Sequence, residues 1–272
     1  MMSEVTISFV VPAYNEEALI ASCLYAILAE TSRTGCRAEI IVVNNNSTDR
    51  TRQIAAAIPG VVIVDEPQRG LVQARRAGCL AARGDLIANI DADTMIPPGW
   101  LDTVLAAFAK RPDLAALSGP FIHYDAPRSV RMTAAIFYRF AFVSYLAVRF
   151  VFRAGSMMQG GNFVIRKSAL DAVEAFNSNF SFYGEDTELA RRLSKAGPVK
   201  FSFALPAFSS GRRLAAEGLF RVAFHYSMNY LWTVMFKQPF TMDWLDFRHP
   251  AGDSDRASLA AAAPARGDPP PR

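Results

Sequence analysis

The sequence predicts an α/β fold: a mainly parallel, doubly wound sheet with helices on both faces and a helical C-terminal part. Three observations carry this prediction. Short apolar runs alternate with stretches of helical periodicity as far as about residue 121. Polar clusters follow three of the runs, where strands of such a sheet would open onto a ligand crevice. Beyond residue 122 the pattern shifts to long aromatic segments of helical length.

Residues 5–11 are an apolar run closed by Pro12 and read as a buried strand. From Glu16 to about Thr31, the residues Leu19, Ile20, Cys23, Leu24, Ile27 and Leu28 recur at helical spacing. Residues 38–43 are a second strand. Ser47 or Asp49 can cap the helix that runs to Ala57, because a short side-chain oxygen accepts from the unpaired N–H groups of a first turn. Residues 61–64 are a third strand, 70–82 an alanine-rich helix ended by Gly84, and 85–90 a fourth strand. After the stop signal Pro97-Pro98-Gly99 a helix covers residues 100–109, and 114–121 is another strand. Residues 132–152 form a long helix rich in aromatics, among them Phe137, Tyr138, Phe140, Phe142 and Tyr145. The glycine turn Gln159-Gly160-Gly161-Asn162 precedes a short strand at 163–166, and Tyr183-Gly184-Glu185-Asp186 opens a helix through Ala196. Residues 214–236 are a last helical stretch. From Ala251 onward Ala, Pro, Arg and Asp alternate at low complexity, and this tail is expected to be disordered.

A chain of 272 residues with 51% hydrophobic content can fill one large α/β core or two small ones. The net charge of +4 is mild but unevenly spread. Residues 126–153 carry Arg128, Arg131, Arg139, Arg149 and Arg153 and no acid. Such a stretch suits anionic headgroups or phosphates, and it equally suits a core helix with arginines on its wet face. Cys23, Cys36 and Cys79 lack metal-ligand spacing and read as reduced, mostly buried thiols of a cytoplasmic protein. His123, His225 and His249 are isolated, which argues against zinc. The first residues resemble no signal peptide, no charge-free run reaches membrane-spanning length, and nothing points to a nucleic-acid partner.

The polar clusters hold the candidate chemistry. Asp91 and Asp93, at i and i+2 on an extended segment, would point to one side and could face one hard divalent cation, Mg2+ or Mn2+, together with substrate phosphates. Two aspartates that cap the next turn would look the same. Asn44, Asn45 and Asn46 offer donors and acceptors for a base or ribose edge, or form a turn into a capped helix. Arg75 and Arg76 could reach a phosphate, or lie on a solvated helix face. Glu185 and Asp186 are either favourable charge at a helix start or a general base for an acceptor hydroxyl. Ser210, Arg212 and Arg213 form a small basic loop that touches phosphate or solvent. No Gly-x-Gly-x-x-Gly follows the first strand, and neither a Walker loop nor a Gly-x-Ser-x-Gly elbow is present.

Taken in order, VVPAYNEE (10–17), IIVVNNNSTDRT (40–51), ARRAGCLAARGDLIANIDADTMIPPGWL (74–101), GGNFVIRKSAL (160–170) and FYGEDTELARRLSKAG (182–197) resemble the family 2 glycosyltransferases of the GT-A fold. The resemblance covers roughly residues 5–213 and implies inverting transfer of a sugar from a nucleoside diphosphate sugar. It implies a GT-A domain over 1–213, with a nucleotide half to about 121 and an acceptor half over 122–213. The aromatic segment 214–250 would follow as a membrane-facing helix. By the same resemblance, Pro12, Ala13, Tyr14, Glu16, Asn45, Arg75 and Asp91 line the nucleotide pocket. Asp93 ligates the metal, Asp186 with Glu185 beside it supplies the base, and Gly161 and Asn162 border sugar and acceptor. The acceptor would be a glycan or a lipid-linked molecule, with a peripheral contact on the cytoplasmic face of a membrane. Two departures are Asn44-Asn45 where the family usually has Asp-Asp or Asp-Asn, and Arg75-Arg76 where it often has Arg-Asn. The Gln-x-x-Arg-Trp motif of processive synthases is missing, which points to transfer of a single sugar. A polyprenyl-phosphate sugar transferase and a catalytically idle nucleotide-binding domain remain the alternatives.

Overall fold

The structure, a computed structural model, describes residues 6–152, 157–173 and 184–236. The first five residues, Arg153, Tyr183 and the predicted disordered tail lie outside them. The elements are β1 (Ile7–Ala13), α1 (Ile20–Thr34), β2 (Ala38–Asn44), α2 (Thr51–Ala56), β3 (Val61–Asp65), α3 (Leu71–Ala81), β4 (Leu86–Ile90) and β5 (Thr94–Met95). There follow α4 (Trp100–Lys110), β6 (Ala116–Ser118), β7 (Phe121–His123), α5 (Arg128–Phe152), β8 (Asn162–Arg166) and α6 (Lys167–Asp171). The chain continues through α7 (Glu185–Leu193), β9 (Val199–Phe201), β10 (Ala207–Ser209), α8 (Arg212–Glu217) and α9 (Leu219–Phe236).

Among the described residues seven strands form the central sheet, in the order β3-β2-β1-β4-β8-β6-β9. The pairs β3–β2, β2–β1 and β1–β4 are parallel, as is β6–β9, while β8 runs antiparallel between β4 and β6. Strands buried on both faces should read as continuous apolar runs. They do: alternate residues of β1 and β2 enter opposite cores. Phe9, Val11, Ile40 and Val42 pack with Leu24, Ile27, Trp100 and Val104 of α1 and α4. On the other face Val10, Ile41 and Val43 pack with Ala74 and Cys79 of α3 and Leu189 of α7. Gly78 lets α3 lie this close to the sheet, because a Cβ there would fall 2.3 Å from Val10 Cγ1.

The differences from the predicted elements have local causes. Pro12 lies inside β1 rather than ending it. The β1–β4 ladder stops at Val10↔Asn89, so one side of the strand has no further pairing that a proline would interrupt. The single strand expected over 114–121 is two, β6 and β7, split at Gly119-Pro120. Gly119 passes so close to Leu205 that a Cβ would overlap its carbonyl oxygen. The helix expected over 214–236 is broken at Gly218, whose φ of 83° only glycine adopts freely. The short elements β5, β9, β10 and α6 have too few residues to show a period, and β5-β10-β7 make a second small sheet that the sequence did not announce. The expected boundary between nucleotide and acceptor halves, at 121–122, falls inside β7.

Candidate active site

β1, β2 and β4 run parallel, so the three polar clusters emerge on one edge of the sheet. The chain moves outward from β1 to β2 to β3, then returns to place β4 on the other side of β1. This reversal opens a crevice beyond the strand ends, the usual place for a ligand in such sheets. Tyr14, Asn15 and Glu16 leave β1 on one side of the crevice, and Asp91, Ala92 and Asp93 leave β4 on the other.

The two aspartates part company there. Residues 91–93 form a turn closed by the Thr94 N–H donating to the Asp91 carbonyl at 2.9 Å, so the extended geometry expected for i and i+2 is lost. Asp91 accepts from Arg75 Nη2 at 2.9 Å. Asp93 accepts from Arg212 Nη2 at 3.0 Å.

Arg75 is the centre of the first cluster. It comes from the buried face of α3, has 1% exposure, and also pairs with Glu185 at the start of α7. Glu185 was expected beside the base; its carboxylate is instead buried against this guanidinium. Asp186 sits in the same cluster. Its Oδ2 accepts from Gly160 N at 3.0 Å and its Oδ1 from Thr187 N at 2.8 Å. Burial pushes the Asp186 carboxyl above the usual aspartate range, against the pull of Arg75 and of these two N–H groups. Gly161 makes the turn that joins the parts. It has a φ of 81°, and a Cβ there would lie 2.0 Å from Asp91 Oδ2. Arg76, one residue on from Arg75, is exposed on the helix surface.

Arg212 forms the second cluster. One nitrogen, Nη2, donates to both Asp93 and Glu16. Glu16 is buried, and its backbone N–H donates to Thr51 Oγ1 at 2.7 Å. Burial works against the charge of Arg212, but Glu16 and Asp93 outweigh it and hold the guanidinium above its ordinary range. This arginine was noted in the sequence only as part of a basic loop. No local signal could tie it to carboxylates 196 and 119 residues away.

The remaining predicted residues divide. Pro12 and Ala13 are buried in β1, leading into Tyr14, whose ring lies 4.3 Å from the Arg69 guanidinium carbon. No sequence motif marks Arg69. The Asn45 amide is committed to the neighbouring loop. It donates to the carbonyls of Glu66 and Gln68 at 3.1 and 2.8 Å, and accepts from Gly70 N at 2.7 Å. Asn162 turns inward with no exposure. Its amide donates to the Gly119 and Leu205 carbonyls, and its oxygen accepts from Trp100 Nε1. The Asn162 side chain is therefore a buried strut, while Gly160 and Gly161 lie against Asp186 and Asp91. Cys23 is buried behind the Asp91–Asp93 turn with its thiol pushed far up by burial, and Cys79 is pushed up to about 12 by burial, so neither is a thiolate.

Among the described residues no group of three or more His, Cys, Asp or Glu is placed to hold a metal by itself. A hard divalent ion needs only one or two carboxylates when substrate phosphates complete its shell. Asp93 fits that requirement in chemistry: its carboxylate is partly exposed and already draws the cationic guanidinium of Arg212.

The family model described as "Glycosyl transferase family 2" matches residues 8–174. An uncharacterized glycosyltransferase of Mycobacterium tuberculosis is 41% identical over 108 residues, covering 40% of this chain and 46% of that protein. Dolichyl-phosphate beta-glucosyltransferase ALG5C of Trichomonas vaginalis is 41% identical over 101 residues, 34% and 30% of the two chains. Each match thus spans less than half of the relative. Among solved structures, mannosyltransferase PcManGT from Pyrobaculum calidifontis, in complex with GDP-Man and Mn2+, superposes with a TM-score of 0.58. It shares 20% identity, over 84% of this chain and 65% of the other. Glucosyl-3-phosphoglycerate synthase from M. tuberculosis, in complex with Mn2+, UDP-glucose and phosphoglyceric acid, gives 0.59 at 19% identity, over 89% and 84%. The fold is of the GT-A type.

The Arg75 cluster has a measurable consequence. Arg75→Met leaves Glu185 buried without its partner, which should lower stability by about 3–5 kcal/mol. Arg75→Met with Glu185→Gln should recover at least half of that loss in urea unfolding. A single variant as stable as the wild type would contradict the buried pair.

Proposed function

This chain belongs to glycosyl transferase family 2, and we propose that it transfers a single sugar, with inversion, from a nucleoside diphosphate sugar to a hydroxyl of a glycan or lipid-linked acceptor. The observation that carries this reading is the crevice at the sheet reversal. There, Asp91 and the raised-pKa carboxyl of Asp186 meet around one glycine turn, and Asp93, two residues on from Asp91, pairs with Arg212. The nucleotide sugars and Mn2+ bound by the two solved neighbours support the same donor class.

Tyr14 and Arg69 flank the nucleotide side of the crevice, Asn45 holds the loop that walls it, and Asp91 lies toward the ribose. Asp93 would hold the divalent cation, Mg2+ or Mn2+, whose charge would offset that gathering on the departing diphosphate. Asp186 takes the proton of the acceptor hydroxyl as its oxygen attacks the anomeric carbon from the face opposite the diphosphate. A carboxyl held above the usual range by burial is a better base than an ordinary aspartate, provided the pH keeps it ionised. The two N–H groups on Asp186 hold its carboxylate in place for that role.

A second reading, transfer to a polyprenyl phosphate, is favoured by α5. Met132, Ile136, Phe140 and Val143 are all exposed along one stripe of it, with Arg131 and Arg139 exposed close by. An apolar stripe edged by arginines suits an anionic bilayer surface, and we propose a peripheral membrane contact on this face. Among the described residues no helix is long and apolar enough to cross a membrane. A phosphate acceptor is already ionised and needs no base, so the role of Asp186 separates the two acceptors.

For a hydroxyl acceptor, Asp186→Asn should lower transfer by about 10²–10⁴-fold while nucleotide binding persists. In the wild type kcat/KM should fall with decreasing pH, along a limb lying above the position of an ordinary aspartate, and the variant should lose that limb. Transfer by the variant at wild-type rate would remove the base assignment and favour a phosphate acceptor. The full chain should co-float with anionic liposomes, and Ile136→Glu with Phe140→Glu should weaken this. Failure of the wild type to co-float would refute the membrane contact.

A further inference from the structure

Arg212 does what a metal is expected to do in this crevice. It brings positive charge to Asp93, and the same nitrogen serves Glu16. These carboxylates leave different strands of the sheet, β1 and β4, and stand close enough to share that one nitrogen. Their mutual repulsion would be costly if nothing lay between them.

The backbone that carries Arg212 is firmly held. Ser210 N donates to the Asp93 carbonyl at 3.2 Å, and Ser210 Oγ donates to Asp125 Oδ2 at 2.7 Å. Gly211 N donates to the other oxygen of Asp125. The Arg212 side chain, in contrast, is 31% exposed where Glu16 is only 4% exposed. The arginine head can therefore swing toward solvent or ligand while its main chain stays anchored.

We propose that Arg212 is the resident counter-ion of the donor-free crevice and that it competes with a divalent cation for Asp93. The ion is then admitted together with a nucleoside diphosphate, whose phosphate oxygens draw the guanidinium away from Asp93. This rests on the donor class argued above. A guanidinium makes charge-assisted, paired hydrogen bonds to phosphate oxygens, so its new partner replaces the one that it gives up. The exchange makes cation and diphosphate binding mutually favourable, a coupling that acts equally in both directions. It also guards the crevice against filling with a cation alone, which would leave diphosphate to bind a site already closed by its own ion pair.

The test is titration of the full chain with Mn2+ alone, followed by electron paramagnetic resonance of the free ion, then with Mn2+ in the presence of UDP or GDP. The wild type should bind Mn2+ alone weakly and at least about tenfold more tightly with a nucleotide, within the usual range of site coupling. Arg212→Gln should bind Mn2+ alone about tenfold more tightly than the wild type, with the nucleotide enhancement reduced. Mn2+ alone should raise the melting temperature of Arg212→Gln more than that of the wild type, a response that a purely structural arginine would not produce. Arg212→Lys, which restores a positive charge, should return Mn2+ affinity toward the wild-type value. Wild type that binds Mn2+ equally with and without nucleotide, or Arg212→Gln and Arg212→Lys that both match the wild type, overturns the proposal. If the wild type binds neither nucleotide with Mn2+, it is the donor class itself that fails.

Discussion

The crevice is built around a problem of like charge. Glu16, Asp91, Asp93 and Glu185 gather where β1 and β4 run out, and Glu16 and Glu185 are buried. Carboxylates taken out of water must be protonated or paired. Two arginines meet the requirement. Arg75 spans Asp91 and Glu185, and Arg212 spans Glu16 and Asp93. The two pairings differ in kind. Arg75 is sealed in the protein, where its loss would expose a buried charge; Arg212 keeps an open side and can give up its partner. One arginine is therefore part of the scaffold and the other is available for exchange with ligand.

The sheet decides where this happens. Parallel β1 and β2 put Tyr14–Glu16 and Asn44–Asn46 on one edge, and the return of the chain to β4 puts Asp91–Asp93 beside them. Close packing holds the frame: Gly78 seats α3 against Val10 and Val43, and Gly161 seats the 160–161 turn against Asp91. Antiparallel β8, paired with β4, carries that turn to the crevice and brings Asp186 within reach of Gly160. The proposed base, cation ligand and nucleotide wall thus come from elements spread along the whole described chain.

The first four strands were legible because each is an apolar run bounded by turn or helix signals, and family 2 motifs stood at their ends. The position of Asp93 at the crevice was legible for the same reason. The divergence of Asp91 from Asp93 was not, because it depends on a turn that closes at Thr94 rather than on residue type. Asn162 looked like a border residue but is a buried strut, since its partners Gly119 and Leu205 are distant in sequence. Arg212 was visible only as charge. Its partners are set by the tertiary fold, and a single arginine at the start of a short helix carries no spacing signal. The elements β5, β9 and β10 escaped for a simpler reason: two or three residues cannot display a period of two.

The central claim is that this crevice holds a nucleoside diphosphate and a divalent cation together, through Asp93. A thermal-shift series with UDP-, GDP- and dTDP-sugars, each with and without Mn2+, tests it most directly through the stabilisation that a bound ligand gives the native state. At least one nucleotide sugar should raise the melting temperature of the wild type more with Mn2+ than without, and Asp93→Ala should lose the Mn2+-dependent part. No shift with any of the three, or an undiminished Mn2+ effect in Asp93→Ala, would contradict the account.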